Sequence, residues 1–450
     1  MTFLHRVDKG KIDCEPSIRV ALLQNVPEAR LKLEHSYFLP DGRAVAGELD
    51  ARTANGQVVL RDAEGKEILR QKEILLSPAA STEAFFTVLD VKIGIHFHWQ
   101  RLQDQSFRGA LLLAGQSDKT FHLINIIPLE EYLASVISSE MAASAPLEFL
   151  KAQAVTARSW LMAMLAKKKS IPTRHQKTED EIIVWQDVND HQGFDVCADD
   201  HCQRYQGITR IISDNVTRAI DATRGIFLTS AGEICDARYY KCCGGQTDVF
   251  ATAWEDASFP YLASITDGRK QRAPIHTKKD AVAWLRAKPD AYCNTTDPEI
   301  LRKILPSFDL ETLNFYRWRV EYQPEELEEI IRAKSGIDFG RLKNIEALER
   351  GPSGRIYRLR IEGSLRTAVV GKELEIRRWL APAHLLSSAF VVSTTRDADK
   401  TALRFILDGG GWGHGVGLCQ IGAAVMAVKG HSAEEILAHY FTGAVLRKLY

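Results

Sequence analysis

Residues 128–141, Pro128-Leu-Glu-Glu-Tyr-Leu-Ala-Ser-Val-Ile-Ser-Ser-Glu-Met141, constrain the fold more than any other stretch of the chain. Leu129, Tyr132, Leu133, Val136, Ile137 and Met141 follow the i, i+3, i+4, i+7, i+8 spacing of a helix with one buried face. At about 100° per residue, Glu140 falls roughly 20° from Leu129, inside that apolar stripe. Burying an ionised carboxylate costs several kcal/mol, so the group either meets a cation or keeps its proton. A carboxylic acid that stays protonated near neutral pH is a general acid, which makes Glu140 the candidate catalytic residue.

A second helix is expected from Leu147, with Leu150, Ala154, Leu161 and Leu165 continuing an apolar stripe. Lys151 and Arg158 lie on the same stripe, two turns apart. Taken singly, each is a cation snorkelling out of a half-buried face. Taken with an inward carboxylate on the adjacent helix, they read as the lining of a polar cleft.

The chain has 450 residues, 45% of them hydrophobic, enough for a core and more than one domain. Its 58 basic and 58 acidic residues balance, which argues against a nucleic-acid partner bound through bulk charge. No run of about 18 apolar residues is present, so no transmembrane segment is expected. Residues Met1–Gly10 show no basic region followed by an apolar stretch, so no secretory leader is visible. Short strands are expected over about 17–117, separated by Asp41-Gly42, Asn55-Gly56 and Glu64-Gly65 turns. Helices dominate from about 128 to 168, strands and loops return over 181–265, and 270–343 is charged and mostly helical. The class is α+β, with a β-rich N-terminal region, a helical core with mixed strands, a Gly-rich loop and C-terminal helices.

Eight cysteines in so long a chain are too few for a disulfide framework, and their clustering fits a reducing compartment or a metal site. Within His191-Gln-Gly-Phe-Asp-Val-Cys197-Ala-Asp-Asp-His201-Cys202, two His and two Cys can supply a tetrahedral Zn2+ sphere. A Cys197–Cys202 disulfide or free thiols in a packed loop are the alternatives. Residues 409–417, Gly-Gly-Gly-Trp-Gly-His-Gly-Val-Gly, hold six glycines in nine positions. They lack the Lys-Ser/Thr of a phosphate-binding loop. Trp412 offers a flat surface that can stack on a sugar ring, and His414 a polar group on a tightly shaped loop, unless the loop simply packs against a helix.

In order along the chain, five segments resemble the stage II sporulation protein D family, which shares its domain with the amidase enhancers. They are Leu129-Glu-Glu-Tyr-Leu through Ser139-Glu140-Met141; Leu150-Lys151-Ala-Gln153-Ala-Val-Thr-Ala-Arg158; Tyr240-Lys-Cys-Cys-Gly244-Gly245-Gln-Thr247; Gly411-Trp-Gly-His-Gly-Val-Gly-Leu-Cys-Gln420; and Glu434-Glu-Ile-Leu-Ala-His-Tyr. Cys242-Cys243 depart from the Ser/Thr-rich run usual before the Gly-Gly pair. The resemblance implies a lytic transglycosylase, a lyase of peptidoglycan glycan strands, with the catalytic acid at Glu140. It matches Lys151 and Arg158 to cleft positions, and in some members implies a structural zinc, whose ligands His191, Cys197, His201 and Cys202 resemble; Gln153, Tyr240, His414 and Gln420 are candidates for sugar hydroxyl or N-acetyl groups beside Trp412. The alternative is a non-catalytic glycan-binding modulator whose partner is a cell-wall amidase. Glycan as the substrate points to the cell envelope, while the lack of a visible leader leaves a cytoplasmic protein as the alternative. The expected domains are a β-rich region over 1–118, a catalytic domain over 119–269 and 344–450, and a charged helical insertion at 270–343.

Overall fold

The computed structural model describes residues 12–79, 83–93, 101–117, 119–167, 176–185, 191–199, 201–211, 213–307 and 309–450. Residues Met1–Gly10, on which the leader expectation rests, lie outside them. The class is α+β, and the chain divides into two compact units. The first comprises 1–144, 188–226 and 448–450; the second comprises 145–187 and 227–447.

Period-two burial builds the first unit. Along Glu28–Phe38, Ala29, Leu31 and Leu33 are buried while Glu28 and Arg30 face out, so one face of the strand belongs to a core. The sheet runs Val196–Cys197, Ser17–Val26, Phe121–Pro128, Ala110–Gly115, Glu73–Pro78, Glu28–Phe38, Ala44–Ala54, Gln57–Asp62 and Glu67–Gln71. Phe85–Ile93 joins Glu28–Phe38 to Arg101–Arg108. Asn55 and Gly56, at φ 53° and 74°, form the two-residue turn that closes a hairpin between Ala44–Ala54 and Gln57–Asp62. Phe121–Pro128 pairs antiparallel with Ser17–Val26 and runs without a loop into helix α1 (Leu129–Glu140), whose Leu129 N–H donates to the Pro16 carbonyl at 2.8 Å. The apolar stripe of α1 is buried as its spacing requires.

The second unit opens with α2 (Leu147–Lys167). Helix α3 (Asp214–Thr223) belongs to the first unit and packs on α1. In the second, Gln176–Lys177, Glu181–Ile183, Thr367–Gly371, Ile356–Gly363 and Leu342–Arg350 form one sheet, and Trp318–Tyr322, Ala402–Gly409 and Phe390–Arg396 another. Residues 270–343 contribute α4 (Lys278–Ala287), α5 (Pro298–Ile304) and α6 (Pro324–Ser335). They also contribute the strand Trp318–Tyr322, which pairs antiparallel with Ala402–Gly409. Leu327 and Ile331 of α6 sit in one buried cluster with Leu359, Phe405 and Trp379, the last residue of α7 (Glu373–Trp379). The segment is therefore woven into the core of this unit. Helices α8 (Gln420–Val428) and α9 (Ala433–Tyr440) pack on α2, and α9 opens with a reciprocal Ser432–Glu435 cap. No helix among the described residues is long and apolar enough to cross a membrane.

Because Ile331 is 1% exposed in that shared cluster, Ile331→Ala should cost about 2–5 kcal/mol in denaturant unfolding. An unchanged unfolding midpoint would show that 270–343 is appended to the unit and not built into it.

Candidate functional site

Four metal-ligand side chains meet in the first unit because a short strand carries them to the sheet edge. Val196–Cys197 pairs parallel with Val20 and Ala21, fixed on either side by Asp195 N–H to the Arg19 carbonyl (2.9 Å) and Ala198 N–H to the Ala21 carbonyl (3.1 Å). A turn closed by Cys202 N–H to the Asp199 carbonyl (3.0 Å) then aims the adjacent His201 and Cys202 at one point. Phe194 and Cys197 pack with Ala21, Leu112 and Ile124, which roots the loop in the core.

The donor atoms of His191, Cys197, His201 and Cys202 all lie within 4.8 Å of one another. His191 Nε2 is 3.1 Å from Cys202 Sγ, and His201 Nδ1 is 3.6 Å from Cys202 Sγ and 3.9 Å from Cys197 Sγ. A tetrahedral zinc with Zn–S about 2.3 Å and Zn–N about 2.0–2.1 Å sets such ligands roughly 3.5 Å apart, so donor set and spacing fit that ion. Hydrogen bonding from the Cys202 thiol, then from the two imidazoles, holds the Cys197 thiol far below its ordinary value despite burial. Four protein ligands make a closed site of the structural kind.

The residues after the cluster strap it to α1. Tyr132 Oη donates to Gln203 Oε1 at 3.1 Å, the Tyr132 and Tyr205 rings stack at 5.1 Å, and Gln206 N–H donates to Ser135 Oγ at 3.2 Å. Arg204 N–H donates to Glu140 Oε1 at 3.0 Å. Burial raises the Tyr132 phenol well above its ordinary value, with the Cys202, Cys197 and Glu140 charges adding to it, so the ring stays a hydrogen-bond donor.

Glu140 is half-exposed, not buried in the stripe as its helical angle suggests. It is the last residue of α1, and Met141 is already extended at φ −132°, so the stripe runs out where the carboxylate begins. The buried carboxylate of α1 is Glu130, 2% exposed, which accepts from Gly225 N–H at 3.1 Å and from the Tyr450 hydroxyl.

The other candidates belong to the second unit. Lys151 pairs with Glu148 on its own helix at 2.7 Å, and the other Glu148 oxygen accepts from Ala433 N–H at 3.0 Å. Arg158 is fully buried, with its guanidinium 6.0 Å from the centre of the Phe227 ring. Gln153, Tyr240 and Gln420 are buried, and each carries a side-chain polar atom without a hydrogen-bond partner among the described residues. Groups in that condition mark places where a ligand or water completes the bonding. Trp412 is half-buried, with Lys241 Nζ 5.8 Å from its ring centre.

In the Gly-rich loop, Gly411, Gly413, Gly415 and Gly417 all take positive φ between 81° and 97°, which is why every second residue is glycine. The loop wraps Arg355, fully buried, whose Nε donates to the Gly413 carbonyl at 2.9 Å; a Cβ at Gly415 would lie 2.6 Å from that guanidinium. His414 accepts at Nδ1 from Val416 N–H (3.1 Å) and lies with Nε2 3.0 Å from the Tyr239 carbonyl, so both ring nitrogens serve the backbone. Burial, followed by Arg238, Arg355 and Arg377, holds its imidazole neutral, well below the ordinary value.

The sequence spacing anticipated that His191, Cys197, His201 and Cys202 come together, but not the Gln203–Gln206 strap, which has no signal beyond lying directly after Cys202. It also missed Glu130 and Arg355, whose roles arise from contacts distant along the chain.

Residues 117–230 match the family model described as Stage II sporulation protein, and 248–417 match one described as Domain of unknown function (DUF8618). The chain is 24% identical over 324 residues to stage II sporulation protein D of Bacillus amyloliquefaciens, spanning 72% of this chain and 75% of that one. It is 25% identical over 320 residues to stage II sporulation protein D of Bacillus subtilis, spanning 70% and 74%. To the amidase enhancer of Bacillus subtilis it is 24% identical over 324 residues, 70% of this chain and 40% of that protein. Residues 117–230 thus match the family whose motifs the sequence shows, and the resemblance holds.

Two outcomes follow from this geometry. In protein reconstituted with zinc, Cys202→Ser should lower the zinc retained and speed amide hydrogen exchange at Arg204 and Gln206 by at least tenfold, with unchanged exchange refuting the strap. The unfolded imidazole of residue 414 takes a proton near about pH 6.5 while the folded one does not, so the unfolded state binds more protons and stability falls as pH drops below that value. Replacing His414 by Asn should flatten this slope, about 1.4 kcal/mol per pH unit at its steepest, in unfolding followed from pH 8 to 5.

Proposed function

We propose that this protein is a peptidoglycan lytic transglycosylase of the cell envelope, cleaving glycan strands stripped of stem peptides, with Glu140 as its single acid and base. The observation that carries the reading is the half-exposed Glu140 carboxylate, held through one oxygen by Arg204 N–H on a loop that His191, Cys197, His201 and Cys202 clamp. The names of the relatives support a role in cell-wall processing. A carboxyl group aimed by a main-chain donor can give and take a proton at a fixed position.

Protonated Glu140 donates to the glycosidic oxygen between N-acetylmuramic acid and N-acetylglucosamine, and positive charge develops at the muramic acid C1. The carboxylate then accepts the proton of the muramic acid C6 hydroxyl, whose oxygen bonds C1 to close a 1,6-anhydro ring. No water is activated on the opposite face, so one carboxyl group suffices where a hydrolase needs two. His191, Cys197, His201 and Cys202 would hold a zinc ion, which would supply rigidity to the loop. Within the second unit, Gln153, Tyr240 and Gln420 each bury an unsatisfied polar atom and are the candidates there for contacts to sugar hydroxyl and N-acetyl groups.

The relative named amidase enhancer favours a second reading, a glycan-binding modulator of a cell-wall amidase. Mass spectrometry of soluble products from peptide-stripped glycan strands separates the two. Wild type should release strands ending in 1,6-anhydro-muramic acid, and Glu140→Gln should lower that release at least a hundredfold while keeping the fold and glycan retention. Products one water heavier would mean hydrolysis. Retention without products would favour the modulator, and a fully active Glu140→Gln would remove Glu140 from the chemistry.

A further inference from the structure

The second unit contains another set of soft donors, apart from the His/Cys cluster and unused by the proposed reaction. Cys243, Asp267, Cys293 and Cys419 are each 0% exposed, and their ligand atoms all lie within 4.8 Å of one another. The four come from sites up to 176 residues apart, brought together by main-chain pairing. Asp267 N–H donates to the Gly245 carbonyl at 3.1 Å, and Tyr292 N–H to the Asp267 carbonyl at 2.9 Å, which sets Cys293 beside the acid. Tyr239–Tyr240 pairs parallel with Leu418–Cys419, which carries Cys419 to the same point. Gly244 and Gly245, at φ 76° and 114°, turn the chain directly after Cys243.

We propose that Cys243, Cys293, Cys419 and Asp267 form a second, closed zinc site that cross-links the second unit. Three of these four donors are held by outer hydrogen bonds as metal ligands are. Two backbone N–H groups point at sulfur: Gly245 N–H at Cys243 Sγ and Cys243 N–H at Cys419 Sγ, both at 3.2 Å. The Asp267 carboxylate is fixed from both sides, by Cys293 N–H at 2.9 Å and the Tyr440 hydroxyl at 2.6 Å. Such outer bonds aim ligands and stabilise thiolate charge. Helix α8 approaches so closely that a Cβ on Gly422 would lie 2.6 Å from Asp267 Oδ1, so the helix is cut to the shape of the site.

Ordinary core packing accounts for three buried thiols but not for a carboxyl group set among them, which is costly to bury without a cation. A disulfide fares no better. Cys243 Sγ and Cys293 Sγ are 3.3 Å apart, beyond a bond of about 2.05 Å, and pairing them would leave Cys419 and Asp267 unexplained. Three sulfurs and one oxygen suit zinc, whose tetrahedral ligands release their thiol protons on binding. The surplus negative charge faces guanidinium groups: Arg317 donates to the Gly244 carbonyl at 3.1 Å, and Arg355 to the Cys243 and Cys242 carbonyls at 3.4 and 3.3 Å.

The test is metal content of the full chain, purified under reducing conditions and reconstituted with zinc alone, then dialysed. A Cys197→Ser, Cys202→Ser variant removes the first cluster and should retain one zinc per chain. Its cobalt-substituted form should show the intense thiolate-to-cobalt charge-transfer absorption of a sulfur-rich site. Cys419→Ser, Asp267→Asn on that background should retain none. If the first variant does not fold, wild type decides: two zinc ions per chain support the site, and fewer than two overturn it. No metal in the folded first variant, or a Cys243–Cys293 disulfide in peptide maps of unreduced protein, also overturns it.

Discussion

A main-chain hydrogen bond, from Arg204 N–H to Glu140, ties the carboxylate at the end of α1 to the ligand loop. By itself such a bond on a surface loop would open readily, because a loop residue has few neighbours to hold it. Here the donor sits two residues past Cys202, inside a segment pinned by a parallel strand pair at Val196–Cys197 and by ring stacking of Tyr205 on Tyr132. The aim of the carboxylate is thus inherited from the sheet through the ligand loop. A metal held four residues or fewer from most of this strap would steady the Glu140 carboxylate without touching it.

The Gly-rich loop shows the converse arrangement, in which a segment that looks made for a ligand is first of all made for its own protein. The crowding that excludes a side chain at Gly409 is the Trp318 ring, 2.2 Å from a notional Cβ, and at Gly415 it is Arg355. Arg355 in turn bonds the carbonyls of Cys242 and Cys243, so the glycines and the cysteine pair are two sides of one buried guanidinium. Asp248 closes the same group: it is buried, accepts from Thr252 at 2.7 Å and from Ser353, and its own N–H reaches the Gly415 carbonyl at 2.7 Å.

What could be read from the sequence divides along the range of the interaction. The stripe of α1, the Asn55-Gly56 hairpin, the Ser432–Glu435 cap and the His191–Cys202 spacing are local, and each has its physical cause within a dozen residues. The half-exposure of Glu140 was not legible, because helical angle says nothing about where a helix stops relative to its neighbours. Nor could spacing reveal that Cys243, Cys293 and Cys419 converge, or that Arg355 organises glycines some sixty positions downstream. Lys151 and Arg158 illustrate a subtler limit: the pattern marks both as cations on an apolar face, but only the fold tells a salt bridge within the helix from a buried guanidinium over Phe227.

The buried Glu130 carboxylate has an implication for synthesis as well as stability. Its oxygen is met by Gly225 N–H and by the hydroxyl of Tyr450, while Leu449 N–H donates to the Gly225 carbonyl at 2.8 Å. Residues 448–450 therefore belong to the unit that the first 144 residues begin. A nascent chain cannot finish that unit until all of the intervening second unit has left the ribosome. Its α1 carboxylate therefore gains the Tyr450 hydroxyl only after more than three hundred further residues have been made.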